Sequence, residues 1–405
     1  MRRSRWLSGF VGVAASAGLA VSSVPAVADP GSGRGGPADV RFATFNASLN
    51  RAAEGELLRD LSTGDDEQAR KVAEVIQRDR PDVLLLNEFD YVAGGAAADA
   101  FRDNYLEVGQ HGAAPIDYPH AYTAPVNTGV PTGFDLDRDG ETGGPGDAHG
   151  FGDFEGQYGM LVLSKHPIDT GAVRTFQNFR WQDMPGATLP DDPATPESDD
   201  WYSDEVLDVL RLSSKSHWDL PIDVDGRTVH LLAAHPTPPS FDGEEDRNGT
   251  RNHDEIRFWA DYVTPGKGGY IYDDAGGRGG LTPGERFVIA GDYNADPHDG
   301  DSVDAAATQL LDAPLVRDTR PASEGAVVAA EQQGGANDEH VGPARLDTAD
   351  FDDESPGNLR VDYVLPSRGL LPYDDGVFWP EPGTDLARLG DASDHHLVRV
   401  DLFVP

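Results

Sequence analysis

The sequence predicts one elaborated domain that mixes helices and strands, and three observations carry that prediction. A strand, an amphipathic helix and a buried strand follow one another between residues 40 and 88. Apolar runs of strand length then recur to the C-terminus, several of them ending on Asn, Asp, Glu or His. No internal repeat or clean linker divides the chain, although 405 residues would allow two or three domains at about 150 residues each.

Each element has a local cause. Val40 to Asn46 alternates apolar and polar residues and reads as a strand. Over 66–79, Ala69, Val72, Ala73 and Ile76 fall at i, i+3, i+4 and i+7, the pattern of an amphipathic helix. Pro81 stops it, and Val83 to Leu86 is a buried strand that runs into Asn87-Glu88. Residues 125–157 are Gly- and Asp-rich loop, and 185–200 are Pro-, Asp- and Ser-rich loop. Strands are expected at 159–164, at 229–234 running into His235, and at 287–290 running into Gly291-Asp292. A helix over 253–263 would bury Ile256, Trp259, Ala260 and Val263. Residues 320–356 read as a long excursion, followed by strands at 359–365 and 397–403.

Arg2, Arg3 and Arg5 precede an apolar stretch from Trp6 to Ala20 and the small-x-small site Ala26-Val27-Ala28. The expected organisation is a signal peptide over 1–28, a disordered Gly/Pro-rich leader over 29–38 and a single domain over 39–405. Secretion follows, by the general or the twin-arginine route, and no later segment is apolar enough to span a membrane. The chain has no cysteine, which excludes disulfides, thiolate zinc sites and thiol nucleophiles. Against 32 basic side chains stand 71 acidic ones, a net charge of −39. Such a surface repels polyanions and excludes basic-patch recognition of nucleic acid, while suiting small substrates and divalent cations.

The recurrent event is a hydrophobic strand ending on a polar side chain, at Asn46, Glu88, His235, Asp292 with Asn294, and near Asp394-His395. In α/β folds such endings collect chemistry on one rim. Carboxylate and amide oxygens are hard ligands for Mg²⁺, Mn²⁺ or Ca²⁺. A His beside an Asp can act as general acid or base, or hold a phosphate oxygen.

Thr44-Phe45-Asn46, Leu86-Asn87-Glu88, Ala234-His235, Gly291-Asp292-Tyr293-Asn294, Val361-Asp362-Tyr363 and Ser393-Asp394-His395 form an ordered set. Together with Gly159 to Pro167, this set resembles the motifs of the endonuclease/exonuclease/phosphatase superfamily. That superfamily includes pancreatic-type deoxyribonuclease, abasic-site endonucleases, bacterial sphingomyelinases and inositol polyphosphate 5-phosphatases. The resemblance spans residues 40–403 and implies an α+β fold: a four-layer α/β/β/α sandwich, DNase I-like, of two packed mixed sheets flanked by helices. It also implies a metal-dependent phosphoric ester hydrolase using Mg²⁺ or Mn²⁺. In that reading Glu88, Asn46 and Asp394 hold the metal, Asp292 orients or deprotonates the attacking water, and Asn294 bonds the phosphate. His395, its tautomer fixed by Asp362, binds or protonates a phosphoryl oxygen, and His235 contacts the phosphate or assists the leaving oxygen. The run Pro236-Thr237-Pro238-Pro239 departs from the family pattern and stiffens the rim.

Two further features are candidates. Asp135-x-Asp137-x-Asp139-Gly140-Glu141 is the first half of an EF-hand-like loop for a structural Ca²⁺, with Gly146 at the twelfth position and Asp147 or Asp153 as substitutes for the missing Glu. Arg251 is available for a phosphate contact. The expected protein is therefore a secreted, monomeric phosphoesterase of mono- or diesters, acting on small molecules or lipid head groups rather than long nucleic acid. An extracellular nuclease drawing locally on Arg174, Arg251 and Arg360 is the alternative, and a non-catalytic calcium-binding exported protein is the rival from another class.

Overall fold

Alternation along the strands builds two faces, and both are covered. The computed structural model describes residues 38–405; the expected signal peptide over 1–28 and all but the last residue of the expected leader over 29–38 lie outside the described residues. The described residues contain eleven strands: β1 Ala38–Leu49, β2 Val83–Phe89, β3 His120–Tyr122, β4 Met160–Ser164, β5 Arg174–Thr175, β6 His217–Val224, β7 Arg227–Ala234, β8 Phe287–Asp292, β9 Asp362–Pro366, β10 Leu371–Val377 and β11 Val398–Val404. The α-helices are α1 Glu56–Leu61, α2 Glu67–Asp79, α3 Ala96–Phe101, α4 Asp204–Leu207, α5 Arg247–Val263, α6 Thr308–Leu311 and α7 Glu324–Gln333.

The strands form a six-stranded sheet, β10-β11-β1-β2-β4-β3, and a five-stranded sheet, β5-β6-β7-β8-β9. Both are mixed: β1–β2 and β7–β8 are parallel, and the other pairs are antiparallel. Val40, Phe42, Val83, Leu85 and Met160 from one sheet meet Trp218, Leu220, Leu231, Val288 and Val364 from the other in a shared interior. The opposite faces of the same strands serve the outer layers. Phe45, Leu84, Leu86 and Leu161 pack on Leu57, Val72, Ile76 and Phe101 of α1, α2 and α3. Leu232, Phe287, Ile289 and Leu365 pack on Ile256, Trp259 and Val263 of α5. The fold is thus an α/β/β/α sandwich, and the described residues 38–405 form one compact unit.

Local chemistry explains the boundaries. Asp66 caps α2, accepting from the Ala69 amide at 2.7 Å, and Arg80 ends it in the left-handed region. Helix α5 starts six residues earlier than its apolar pattern, because its first turns are polar and contain Gly249. Strand β6 eludes a pattern reading because Pro221 interrupts it; the proline is tolerated where the neighbouring edge strand β5 is only two residues long. Within the excursion, Ser323 caps α7 by accepting from the Ala326 amide.

Candidate active site

Strand direction assembles the site. Because β1 and β2 run parallel, with Asn46 opposite Asn87, Asn46 and Glu88 finish at the same edge. In the second sheet β7 and β8 also run parallel, so His235 follows β7 where β8 ends on Asp292. Antiparallel β9 starts at that edge with Asp362 opposite Asp292. Antiparallel β11 runs away from the same end of β1, which leaves Asp394 and His395 beside Asn46.

The side chains cross the seam between the sheets. Asn46 Nδ2 donates to Asp292 Oδ2 at 3.0 Å. His395 Nδ1 lies 2.8 Å from Asp362 Oδ2, and its Nε2 faces Asp292 Oδ2 at 3.7 Å. His235 Nε2 approaches the same Asp292 oxygen at 3.4 Å. Asp292 Oδ1 accepts from the Asn294 amide at 2.9 Å, and Asn294 Nδ2 donates to the Pro236 carbonyl at 3.2 Å. Asp394 Oδ1 accepts from Ser48 Oγ at 2.9 Å. Glu88 (φ 57°), Ser48 (φ 46°) and Asn294 (φ 51°) all adopt left-handed backbone, a conformation costing about 1–3 kcal/mol at a non-glycine residue and concentrated at functional sites. At Glu88 the strand therefore turns out of its register as its carboxylate enters the cleft.

Burial and charge set the protonation states. His395 is 5% exposed; burial opposes its charge, but Asp362 and then Asp292 override it and hold the imidazolium well above the ordinary histidine range. Burial pushes Asp292 upward, against the pull of His395. It also raises Glu88, against His395 and the Asn46 hydrogen bond. His235 goes the other way: burial, then Lys215 and His395, press it well below its usual value, so it is neutral.

Asp292, Asp362 and His395 offer three atoms within 4.8 Å of one another. Asp362 Oδ2 already accepts from His395 and, at 2.8 Å, from Thr348 Oγ1, so this trio is a hydrogen-bonded line rather than a metal cage. The donors that fit a hard divalent cation are instead the oxygens of Glu88 and Asp394, which face the cleft, with Asn46 hydrogen-bonded to Glu88 and its own Oδ1 accepting from the Ser48 amide at 3.1 Å.

These groups open on a cleft of about 980 Å³. Its wall includes Pro238, Pro239, Phe241, Asp296, Asp299 and Phe351, and no lysine or arginine is among its lining residues. The arginines named from the sequence are engaged elsewhere. Arg251 donates to the carbonyls of Leu212, His149 and Arg211, which binds α5 to two loops and leaves it out of the cleft. Arg174 is paired with Asp273 at 2.7 Å and Arg360 with Asp318 at 2.6 Å. In the acidic loop, Asp135, Asp137 and Asp139 do converge within 4.8 Å. Asp147 is no substitute ligand, since its oxygens accept from the amides of Leu136, Gly143 and Gly144.

Sequence periodicity does not single out three residues that the geometry brings in. Asn87 Oδ1 accepts from the Asp292 amide at 3.3 Å and ties the sheets together beneath the site; its place inside Leu86-Asn87-Glu88 was the available signal. Ser48 and Thr348 orient Asp394 and Asp362, and nothing in the local pattern marks either one.

The model of the Endonuclease/Exonuclease/phosphatase family matches residues 43–395. The chain belongs to this family. It is accordingly a metal-dependent phosphoric ester hydrolase. Among solved structures it resembles a family member from Beutenbergia cavernae, at 18% identity over 91% of this chain and 72% of that one, with a TM-score of 0.49. It also resembles sphingomyelinase C from Streptomyces griseocarneus, at 17% identity over 90% and 99% of the two chains, TM-score 0.46. A third is a beta toxin variant from Staphylococcus aureus with bound magnesium ions, at 14% identity over 91% and 100%, TM-score 0.43. Comparison with curated proteins gives no match. No helix among the described residues is long and apolar enough to cross a membrane.

Proposed function

We propose that this family member is an exported phosphoesterase that hydrolyses small phosphate esters or lipid head groups by in-line attack of a water at phosphorus. The observation that supports the reading is the line from Asp362 through His395 to Asp292, beside Asn46 and Glu88 on a cleft without lysine or arginine. A long polyanion would meet Asp296, Asp299, Asp301 and Asp352 on that wall, whereas one phosphoryl group can sit at the floor.

Roles follow from the chemistry of each group. Asp292 orients the attacking water and takes its proton as the new P–O bond forms. Asn294 donates to the phosphoryl group. His395, kept charged by Asp362, donates through Nε2 to a phosphoryl oxygen, a bond that strengthens as charge builds in the transition state. Neutral His235 lies 3.4 Å from Asp292 Oδ2 and can hydrogen-bond the leaving oxygen, which departs as an anion when the P–O ester bond breaks and takes its proton from solvent, while the proton held by Asp292 returns to solvent. Asn46, Glu88 and Asp394 hold a Mg²⁺ or Mn²⁺ ion, which supplies neutralisation of charge on the phosphoryl oxygens. A structural Ca²⁺ on Asp135, Asp137 and Asp139 belongs to the same reading.

The test is hydrolysis of bis-(p-nitrophenyl) phosphate, sphingomyelin, inositol phosphates and plasmid DNA, each with Mg²⁺ or Mn²⁺ and again with EDTA. EDTA-sensitive turnover with small or lipid esters ahead of DNA is expected. Faster cleavage of DNA would replace this substrate assignment with a nuclease.

A further inference from the structure

Lys215 is a buried lysine for which the described residues supply no partner. It is 6% exposed, and among the described residues no hydrogen bond or ion pair engages its side-chain nitrogen. A lysine that is mostly buried gives up much of its hydration without a protein group in exchange, so an isolated one calls for a reason. Its backbone is firmly placed: the Lys215 carbonyl accepts from the Asn127 amide at 2.8 Å, and the neighbouring Ser214 amide donates to Glu255 at 2.7 Å.

That place is the catalytic end of the second sheet. Lys215 precedes β6 by two residues, and the β6–β7 register pairs His217 with Ala234, the residue before His235. Continued by two residues, the register sets Lys215 beside Pro236, whose carbonyl holds Asn294. Burial lowers the pKa of Lys215, and the attraction of Glu255, Glu88 and Asp292 opposes that lowering. The cleft itself presents acidic groups and one imidazole, with no lysine or arginine on its wall. A phosphoryl group entering it carries negative charge toward Glu88, Asp292 and Asp394, and Lys215 is a lysine close enough to Glu88, Asp292 and His235 to interact with them electrostatically while no group among the described residues engages its nitrogen.

Resting on the phosphoesterase reading above, we propose that Lys215 is a phosphate-binding catalytic residue, its ammonium donating to a non-bridging oxygen of the scissile phosphoryl group. The missing protein partner is then the substrate. Its flexible four-carbon stem allows the nitrogen to reach into the floor of the cleft when that anion arrives.

Lys215→Met and Lys215→Arg, compared with wild type in the full chain, test this. Inorganic phosphate is the probe, titrated calorimetrically with Mn²⁺ present; Mn²⁺ alone is titrated separately, and turnover is followed on bis-(p-nitrophenyl) phosphate. Lys215→Met should bind phosphate at least about tenfold more weakly and lose on the order of 10²-fold in kcat/KM, the scale of one oxyanion donor. It should bind Mn²⁺ as tightly or more tightly, because a like charge has gone, and melt no lower than wild type, because an unpaired charge has left the interior. Lys215→Arg should recover most of the phosphate affinity. A purely structural lysine would instead lower the melting temperature and weaken Mn²⁺ together. Unchanged phosphate affinity in Lys215→Met overturns the inference, even if the rate falls. A wild type that turns over no phosphoester, while Lys215→Met still loses phosphate, would sink the phosphoesterase reading and leave phosphate binding by Lys215 standing.

Discussion

Replacing Asp362 with Asn tests the role of the buried line at its strongest link. Asp362 is 1% exposed, and one of its oxygens, Oδ2, accepts from both His395 Nδ1 and Thr348 Oγ1, each at 2.8 Å. Asparagine keeps the volume but removes the charge. Its amide either faces His395 with the carbonyl, leaving an NH₂ group where Oδ1 already lacks a partner, or turns the NH₂ toward the ring and forces the other tautomer. A hydrogen bond to a charged group contributes about 1.5–3 kcal/mol, and so Asp362→Asn should lower kcat by about 10- to 150-fold. Thr348→Val removes the second donor to Asp362 Oδ2 but leaves the carboxylate and its bond to His395 in place, so it should lower kcat by less than Asp362→Asn, although it also strips the Val361 and Asp362 amides of their acceptor. The assay is initial rate on bis-(p-nitrophenyl) phosphate across Mn²⁺ concentration. The Mn²⁺ midpoint should stay where it is while the plateau drops. A plateau within twofold of wild type, or a drop caused entirely by a shifted midpoint, would refute the assignment of Asp362 to His395 rather than to the cation.

Glu88→Ala should do the converse, moving the Mn²⁺ midpoint to higher concentration, measured in the same titration; an unmoved midpoint removes Glu88 from the cation's shell. Calcium should raise the melting temperature of the wild type, and Asp137→Ala should abolish that rise without altering turnover, read by differential scanning fluorimetry with and without Ca²⁺. His217, 1% exposed and with its pKa lowered by burial to about 4 although it bonds the Glu255 carbonyl, is neutral in the fold and protonates more readily in the unfolded chain. Its contribution is therefore complete above about pH 6.5 and is lost as pH falls toward 4, some 3 kcal/mol in all. Urea denaturation at pH 7.5 and pH 4 should show that much less pH sensitivity in His217→Gln, and parallel losses in the two proteins would contradict it.

Much of this arrangement was legible because strands that end on polar side chains keep their chemistry at one rim. Asn46, Glu88, Asp292 and His395 could be named from local pattern and motif, since each closes or opens an apolar run. What stayed hidden depends on contacts between segments far apart in sequence. Thr348 sits in an excursion with no periodicity, and only the antiparallel start of β9 brings Asp362 to it. Arg251 looked available because its neighbours are charged, yet tertiary packing spends its guanidinium on three carbonyls. Strand β6 was masked by Pro221, and with it the register that locates Lys215.

The Asn46–Asp292, Asn87–Asp292 and His395–Asp362 bonds each join one sheet to the other. Neither sheet owns a complete set of reacting groups, so the site behaves as a vernier: it comes into alignment only when the two halves of the sandwich are seated at the correct offset. The side chains that set that offset, Phe42, Trp218, Leu231 and Val288 among them, lie in the interior between the sheets. Turnover is thus a gauge of how the sheets are docked, and a change deep in that interior can silence the chemistry while every strand keeps its own hydrogen bonds.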